Sequence, residues 1–227
     1  QESYLNYFLE MFNSKSISIL LLLFSSIAIS FGGLIMRNIE VANAWQIIFY
    51  RSIFFSISIS IILGFQYRKF FIINIKSIGL PGIIAAIFYT FANIMFVHAF
   101  ANTTVANALF TLSAIPFITA ILAFYFLNEN LSVRTIIIMI IAFAGIVLMI
   151  SEGLALGEFF GNIMALGTAL FFSCFAITLR KFRKLDMLPT LLIAGLMVSW
   201  ITLIMTYNFI KIPINEIFLC FIWGGVL

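Results

Sequence analysis

Charge is what this chain has least of. Of 227 residues only 9% are charged, against 64% hydrophobic, where soluble domains carry about 25% charged residues. Too few polar groups remain to cover a water-facing surface, which excludes a water-soluble enzyme or nucleic-acid binder. Histidine occurs once, at His98, and cysteine twice, at Cys174 and Cys220. Both cysteines sit in apolar runs, as buried small hydrophobes do, and a lone histidine offers no metal-ligand set. No cofactor is expected. No Walker-type loop is present to bind a nucleotide, which argues against direct ATP drive. The chain opens with Gln1 rather than Met and shows no basic, apolar, small-residue signal before the first apolar run, so the expectation is either a missing start or a first helix that itself directs insertion. Every Asp and Glu lies at the end of an apolar run or between runs. The convergent acids and bases of a membrane enzyme are therefore missing, as is the mid-depth carboxylate of a proton relay, so uniport or exchange is favoured.

What is there, in quantity, is apolar sequence of membrane-crossing length. A hydrocarbon core about 30 Å thick takes roughly 20 apolar residues per helix. Seven complete spans are predicted, at 17–36, 44–65, 78–100, 104–127, 135–150, 159–179 and 188–209. None alternates as barrel strands do, so the fold class is an all-α integral membrane protein. Asp186 followed by Pro189 reads as a helix start. Lys and Arg fall nine on one side of these spans and two, Arg37 and Lys211, on the other, which places the N-terminus in the cytoplasm. The last run, 217–227, is too short to cross, and the chain is expected to be a fragment of a longer protein.

A few polar residues stand inside the spans. Arg51 is the one charge well within a run, some seven residues beyond Trp45. An intramembrane arginine costs about 3 kcal/mol even on the insertion scale and usually faces a cavity; the alternative is a stem that snorkels to the headgroups. Its planar fork suits a carboxylate or phosphate. Tyr89 and Asn93, four apart, share one helical face. Thr103, Asn107 and Thr111 make a stripe on the fourth span, above Pro116, which cannot donate to the carbonyl of Leu112 and loosens the helix. These stripes either line a polar cavity with Arg51 or hydrogen-bond helices together. His98 lies roughly opposite Tyr89 and has a structural or a gating role. Glu129, after the fourth span, is within reach of Arg134 or of free N–H groups. Gly153, Gly157, Gly161, Ala165, Ala169 and Ser173 recur every fourth residue, a face for close helix packing. Its partner is either in the same chain or in a second copy, as a homodimer.

The segment Ser30–Arg37 superposes on Ser173–Arg180 at an offset of 143, and the same offset pairs Gly82 with Gly225. Five spans separate the copies, and an odd number inverts the second across the membrane, the architecture of many secondary transporters. With these features, three segments carry a family resemblance: the stretch from His98 to Ala108, then Pro116-Phe-Ile-Thr-Ala120, then Leu127-Asn-Glu-Asn-Leu-Ser132 with Gly145 beyond. In order and spacing they resemble the EamA type of drug/metabolite transporter. The resemblance implies ten helices in two inverted five-helix halves. Residues 1–150 would be the first repeat and 151–227 an incomplete second, with roughly 66 residues to follow. Where that family has a glycine before the glutamate, this chain has Asn128, a departure expected to affect the turn alone. The glutamate at Glu129 reads through the resemblance as a helix-end lock.

The expected function is secondary transport of a small organic metabolite, an amino acid or other carboxylate-bearing compound, across the inner membrane by alternating access. Arg51, Tyr89, Asn93, Asn107 and Thr111 are the expected substrate contacts, and Pro116, Glu129, Gly157 and Gly161 the packing or hinge positions. The partners are a small molecule and the lipid bilayer, with no nucleic acid. A non-transporting scaffold subunit is the alternative, and a membrane enzyme a more distant one.

Overall fold

The computed structural model describes residues 14–67, 75, 77–155, 158–183, 186–207 and 210–226, and among them the structure is helical. In chain order the helices are α1 (Ser14–Arg37), α2 (Ala44–Tyr67), α3 (Gly79–Asn102), α4 (Val105–Leu112), α5 (Ile115–Leu127), α6 (Val133–Ala155), α7 (Phe159–Lys181), α8 (Leu188–Thr206) and α9 (Ile214–Phe221). α9 runs on into a single π-helical turn, Ile222–Val226. Among the described residues five stretches are long and apolar enough to cross a membrane: α2, α3, α4 with α5, α7 and α8. Helix is the only open structure that satisfies its own backbone in lipid, which is why runs of such different composition all adopt it.

The sequence dictates the boundaries through identifiable signals. Ser132 caps α6, its Oγ accepting from the Thr135 N–H at 3.1 Å, and Thr104 caps α4 through the Asn107 N–H at 3.2 Å. Asp186 accepts from the Leu188 N–H at 3.1 Å, with Pro189 in the first turn of α8. At Asn128 the chain turns left-handed, φ 55° and ψ 37°, and closes α5 by donating to the Ala123 carbonyl. Asparagine tolerates this conformation nearly as glycine does, so its presence where a glycine was expected leaves the turn intact. The fourth span is broken at Ser113 and Ala114, between α4 and α5, because Pro116 lacks the N–H that would continue the ladder.

The core is a row of four helices. α2 packs on α8, α8 also on α3, and α3 on α7 in the most extensive contact of all; α4 and α5 lie along α7, and α9 with its π turn lies on α2. Small residues permit these approaches. Ala85, Ala86, Ala92, Ala99, Ala165, Ala169 and Ala194 are all buried, and a Cβ on Gly195 would sit 2.5 Å from Ser56 Oγ. Large side chains point outward instead: Phe24, Phe65, Ile141 and Ile204 are among many exposed apolar groups, an inversion that suits a lipid surround. Polar contacts between distant segments fall where an up-and-down path requires. With the α1–α2 connection defined as the upper end, Glu216 reaches 40–42 and Glu158 reaches Thr103 at the top. Tyr67 donates to Asp186, and Arg180 pairs with Glu129, at the bottom.

The small-residue ladder of α7 finds its partner within the chain. Ala165 packs with Ala99, Phe100 and Ala108, Ala169 with Ala114, and Ser173 Oγ donates to the Ile115 carbonyl at 3.1 Å. Gly161 is the tightest rung, since a Cβ there would lie 2.5 Å from the Asn102 carbonyl group. Gly161→Ala is expected to cost about 1–3 kcal/mol by forcing α7 off α3. Gly64→Ala, where nothing lies within 4 Å, should be neutral or stabilise by up to about 1 kcal/mol through helix propensity. Thermal unfolding of the two variants in detergent reads the contrast; equal midpoints would contradict the packing described.

Candidate functional site

Arg51 lies seven residues into α2 and Asn93 nine residues from the end of α3, so both sit roughly 10–14 Å below the upper helix ends. The structure brings them together: Arg51 Nη2 donates to Asn93 Oδ1. Tyr89 lies one turn below Asn93 on the same face of α3. Tyr89 stacks on Phe55 of α2, centroids 6.1 Å apart, and leans on Phe175 of α7 at 5.1 Å. Two more aromatic rings hold the guanidinium, with Cζ 4.9 Å from the Trp223 centroid and 5.9 Å from that of Phe96. Arg51 is partly buried overall, yet its Nε is wholly buried and has no hydrogen-bond partner. A cation so placed keeps donor capacity free in an environment where each unmet donor is costly.

Trp223 and Phe96 were not legible as site residues. Trp223 belongs to the π turn, where Gly224 packs so closely on Arg51 that a Cβ would overlap the Arg51 carbonyl. From α1, Gly32 allows the indole to approach, a Cβ there lying 2.6 Å from Trp223 Nε1. A Trp-Gly-Gly triplet in an apolar run was the available signal.

The other two expected contacts lie elsewhere. Asn107 Nδ2 donates to Glu158 Oε2 at 2.6 Å, as does Thr103 Oγ1 at 2.6 Å, and Thr103 also reaches Asn162 Oδ1 at 3.2 Å. This clasp ties the tops of α3 and α4 to the start of α7. Thr111, one turn below, is fully buried with its hydroxyl unpartnered. It shares a helical side with Ala108, which packs on α7. The five expected contacts thus fall into a central group, Arg51, Tyr89 and Asn93, and a lateral one, Asn107 and Thr111. Hydrogen bonding, led by Thr103, holds the Glu158 carboxyl below its ordinary value of 4.5.

The packing and hinge positions also resolve. Pro116 stands at the α4–α5 break and Gly161 against α3, while Gly157 lies outside the described residues. Glu129 pairs with Arg180 Nη2 at 2.8 Å. Arg134 or free N–H groups of the next helix were the expected partners; Arg180 takes their place because the end of α7 lies beside the end of α5. A further acid was missed altogether. Glu216, 2% exposed, accepts three successive backbone N–H groups, from Glu40 at 3.1 Å and from Val41 and Ala42 at 2.9 Å each. It pins the α1–α2 connection to the first turn of α9, where a negative charge is favoured. Beside it, Asn43 and Gln46 cap α2 reciprocally, at 2.8 and 2.9 Å.

The model of the EamA-like transporter family matches residues 16–151. No curated protein and no solved structure matches the chain.

The clasp makes stability depend on pH in a defined direction. Because the folded-state pKa of Glu158 lies below its unfolded value, the clasp contributes fully above pH 4.5, and its contribution is lost as pH falls through the depressed value. Thr103→Val removes the leading donor and should lower the unfolding temperature above pH 4.5 while shrinking its further fall in acid, so that the two profiles converge below the depressed value. Coincident profiles for wild type and variant would contradict it.

Proposed function

The chain belongs to the EamA-like transporter family, and on that premise we propose that it is a secondary transporter moving a small carboxylate-bearing metabolite across the cytoplasmic membrane by alternating access. Its coarse nature follows from the family and the helices: an integral multi-pass membrane protein of the drug/metabolite transporter type. Members of that family are transporters rather than enzymes.

What supports the cargo chemistry is the central arginine. Its guanidinium is held by the rings of Trp223 and Phe96, one terminal nitrogen is oriented by Asn93, and Nε is buried without a partner. A carboxylate is the smallest common metabolite group that satisfies two guanidinium donors at once. Tyr89 offers a hydroxyl one turn below Asn93. Among the described residues the acids sit at helix ends or in connections, several of them engaged there, which supports uniport or exchange over proton coupling. The nine-to-two distribution of Lys and Arg supports a cytoplasmic N-terminus. The Ser30–Arg37 and Ser173–Arg180 correspondence supports two inverted halves, ten helices in the full protein.

Arg51→Ala should abolish uptake while membrane insertion persists, and Arg51→Lys should recover only part, since an ammonium keeps the charge but loses the fork. Tyr89→Phe should weaken apparent affinity by roughly 1–3 kcal/mol if a buried hydrogen bond to cargo is lost. Uptake against concentration, normalised to inserted protein, tests this. Wild-type affinity in Arg51→Ala, or full activity in Arg51→Lys, would remove the guanidinium from the site.

A further inference from the structure

We propose that the cavity among the upper ends of α1, α2, α3 and α4 is a second binding station, for a small organic anion, built on Arg37 with His98 and Trp45. It rests on the transporter reading, to which it adds a recognition site above Arg51. The cavity measures about 780 Å³, within the range of pockets that hold small organic ligands.

Charge is the first argument. The lining contains one cation, Arg37, and no carboxylate. The ion pair among the described residues joins Glu129 and Arg180 at the opposite end, so Arg37 is left uncompensated. Two acids near the rim are engaged in hydrogen bonds: Glu216 with the N–H groups of Glu40, Val41 and Ala42, and Glu158 with Thr103 and Asn107. Arg37 is therefore the one charged side chain of the lining and the group with which an anion can pair.

Unmet hydrogen bonding is the second. His98 lines the cavity, yet its Nε2 is buried and has no partner. The ring is fixed edge-on to Trp45, centroids 4.6 Å apart, so it cannot turn away to water without breaking that contact. An anion on Arg37 supplies a polar partner, and the indole and imidazole supply flat apolar walls for the body of the molecule. A planar carboxylate fits this combination.

Position is the third. Ile47 on α2 is one turn above Arg51, and His98 on α3 is little more than one turn above Asn93. The cavity therefore lies nearer the upper helix ends than the Arg51–Asn93 pair, and two guanidinium groups, Arg37 on α1 and Arg51 on α2, stand at different depths. The rim residues Ile39 and Ala42 belong to the connection that Glu216 pins. The station is thus held open in advance of binding.

The test uses the full chain with Cys174→Ala, Cys220→Ala and Ile39→Cys, purified in nanodiscs, and benzoate as probe. Maleimide labelling at position 39 should slow about tenfold at saturating benzoate and be unaffected by benzamide, its neutral counterpart. Adding Arg37→Gln should abolish the protection, and Arg37→Lys should retain most of it, which separates loss of charge from misfolding. Absence of protection, equal protection by benzamide, or protection that survives Arg37→Gln would overturn the proposal. Arg51 is untouched throughout. Loss of protection with Arg51-dependent uptake intact would overturn this station alone, and protection without Arg51-dependent uptake would overturn the transport reading alone.

Discussion

A guanidinium held between helices in an apolar bundle is the constraint around which the rest is arranged. Arg51 cannot shed its charge, and burying it is tolerable only if the surrounding groups stabilise it. Asn93 satisfies one nitrogen, and two ring faces meet the flat cation. Those partners come from α3 and from the π turn after α9, so the registers of α2, α3 and α9 are set together. Two glycines follow from the same demand: Gly224 lets the π turn lie on the Arg51 backbone, and Gly32 lets α1 close over Trp223. The free Nε then turns a packing solution into a candidate binding group.

The ends of the bundle are governed by carboxylates used one at a time. Glu216 collects three backbone donors, Glu158 two side-chain donors, and Glu129 a guanidinium. Each joins segments far apart in sequence, and each sits at a helix terminus, where backbone groups lack intrahelical partners. The interior is joined differently, by alanine and glycine contacts and by hydroxyls that bond their own helix, as Thr202 and Thr206 do to the carbonyls four residues back. Charge at the ends and close packing between them divide the molecule along the membrane normal.

The helices were legible because a membrane imposes a length on every crossing. Ala44, Phe159 and Leu188 begin helices where the apolar runs begin. Tyr89 and Asn93 were legible because a spacing of four decides that two residues share a face. Partners across long separations were not. Asn107 and Glu158 are 51 residues apart, and no local pattern ties a stripe on one helix to an acid preceding another. The Glu129 partner was sought next door, at Arg134 or at free N–H groups of the following helix, and is supplied by Arg180 through the packing of α5 on α7. Trp223 escaped notice because its segment reads as too short to cross, and a π turn has no sequence period to betray it.

The central claim is that Arg51 is the counter-charge of the cargo, and charge selectivity tests it most directly. Uptake of one transported carboxylate and of its primary amide should be compared in vesicles carrying wild type or Arg51→Gln at equal membrane density. The account predicts a strong preference for the carboxylate in wild type, about tenfold or more, that collapses toward unity in the variant. A preference of the same size in both would contradict it.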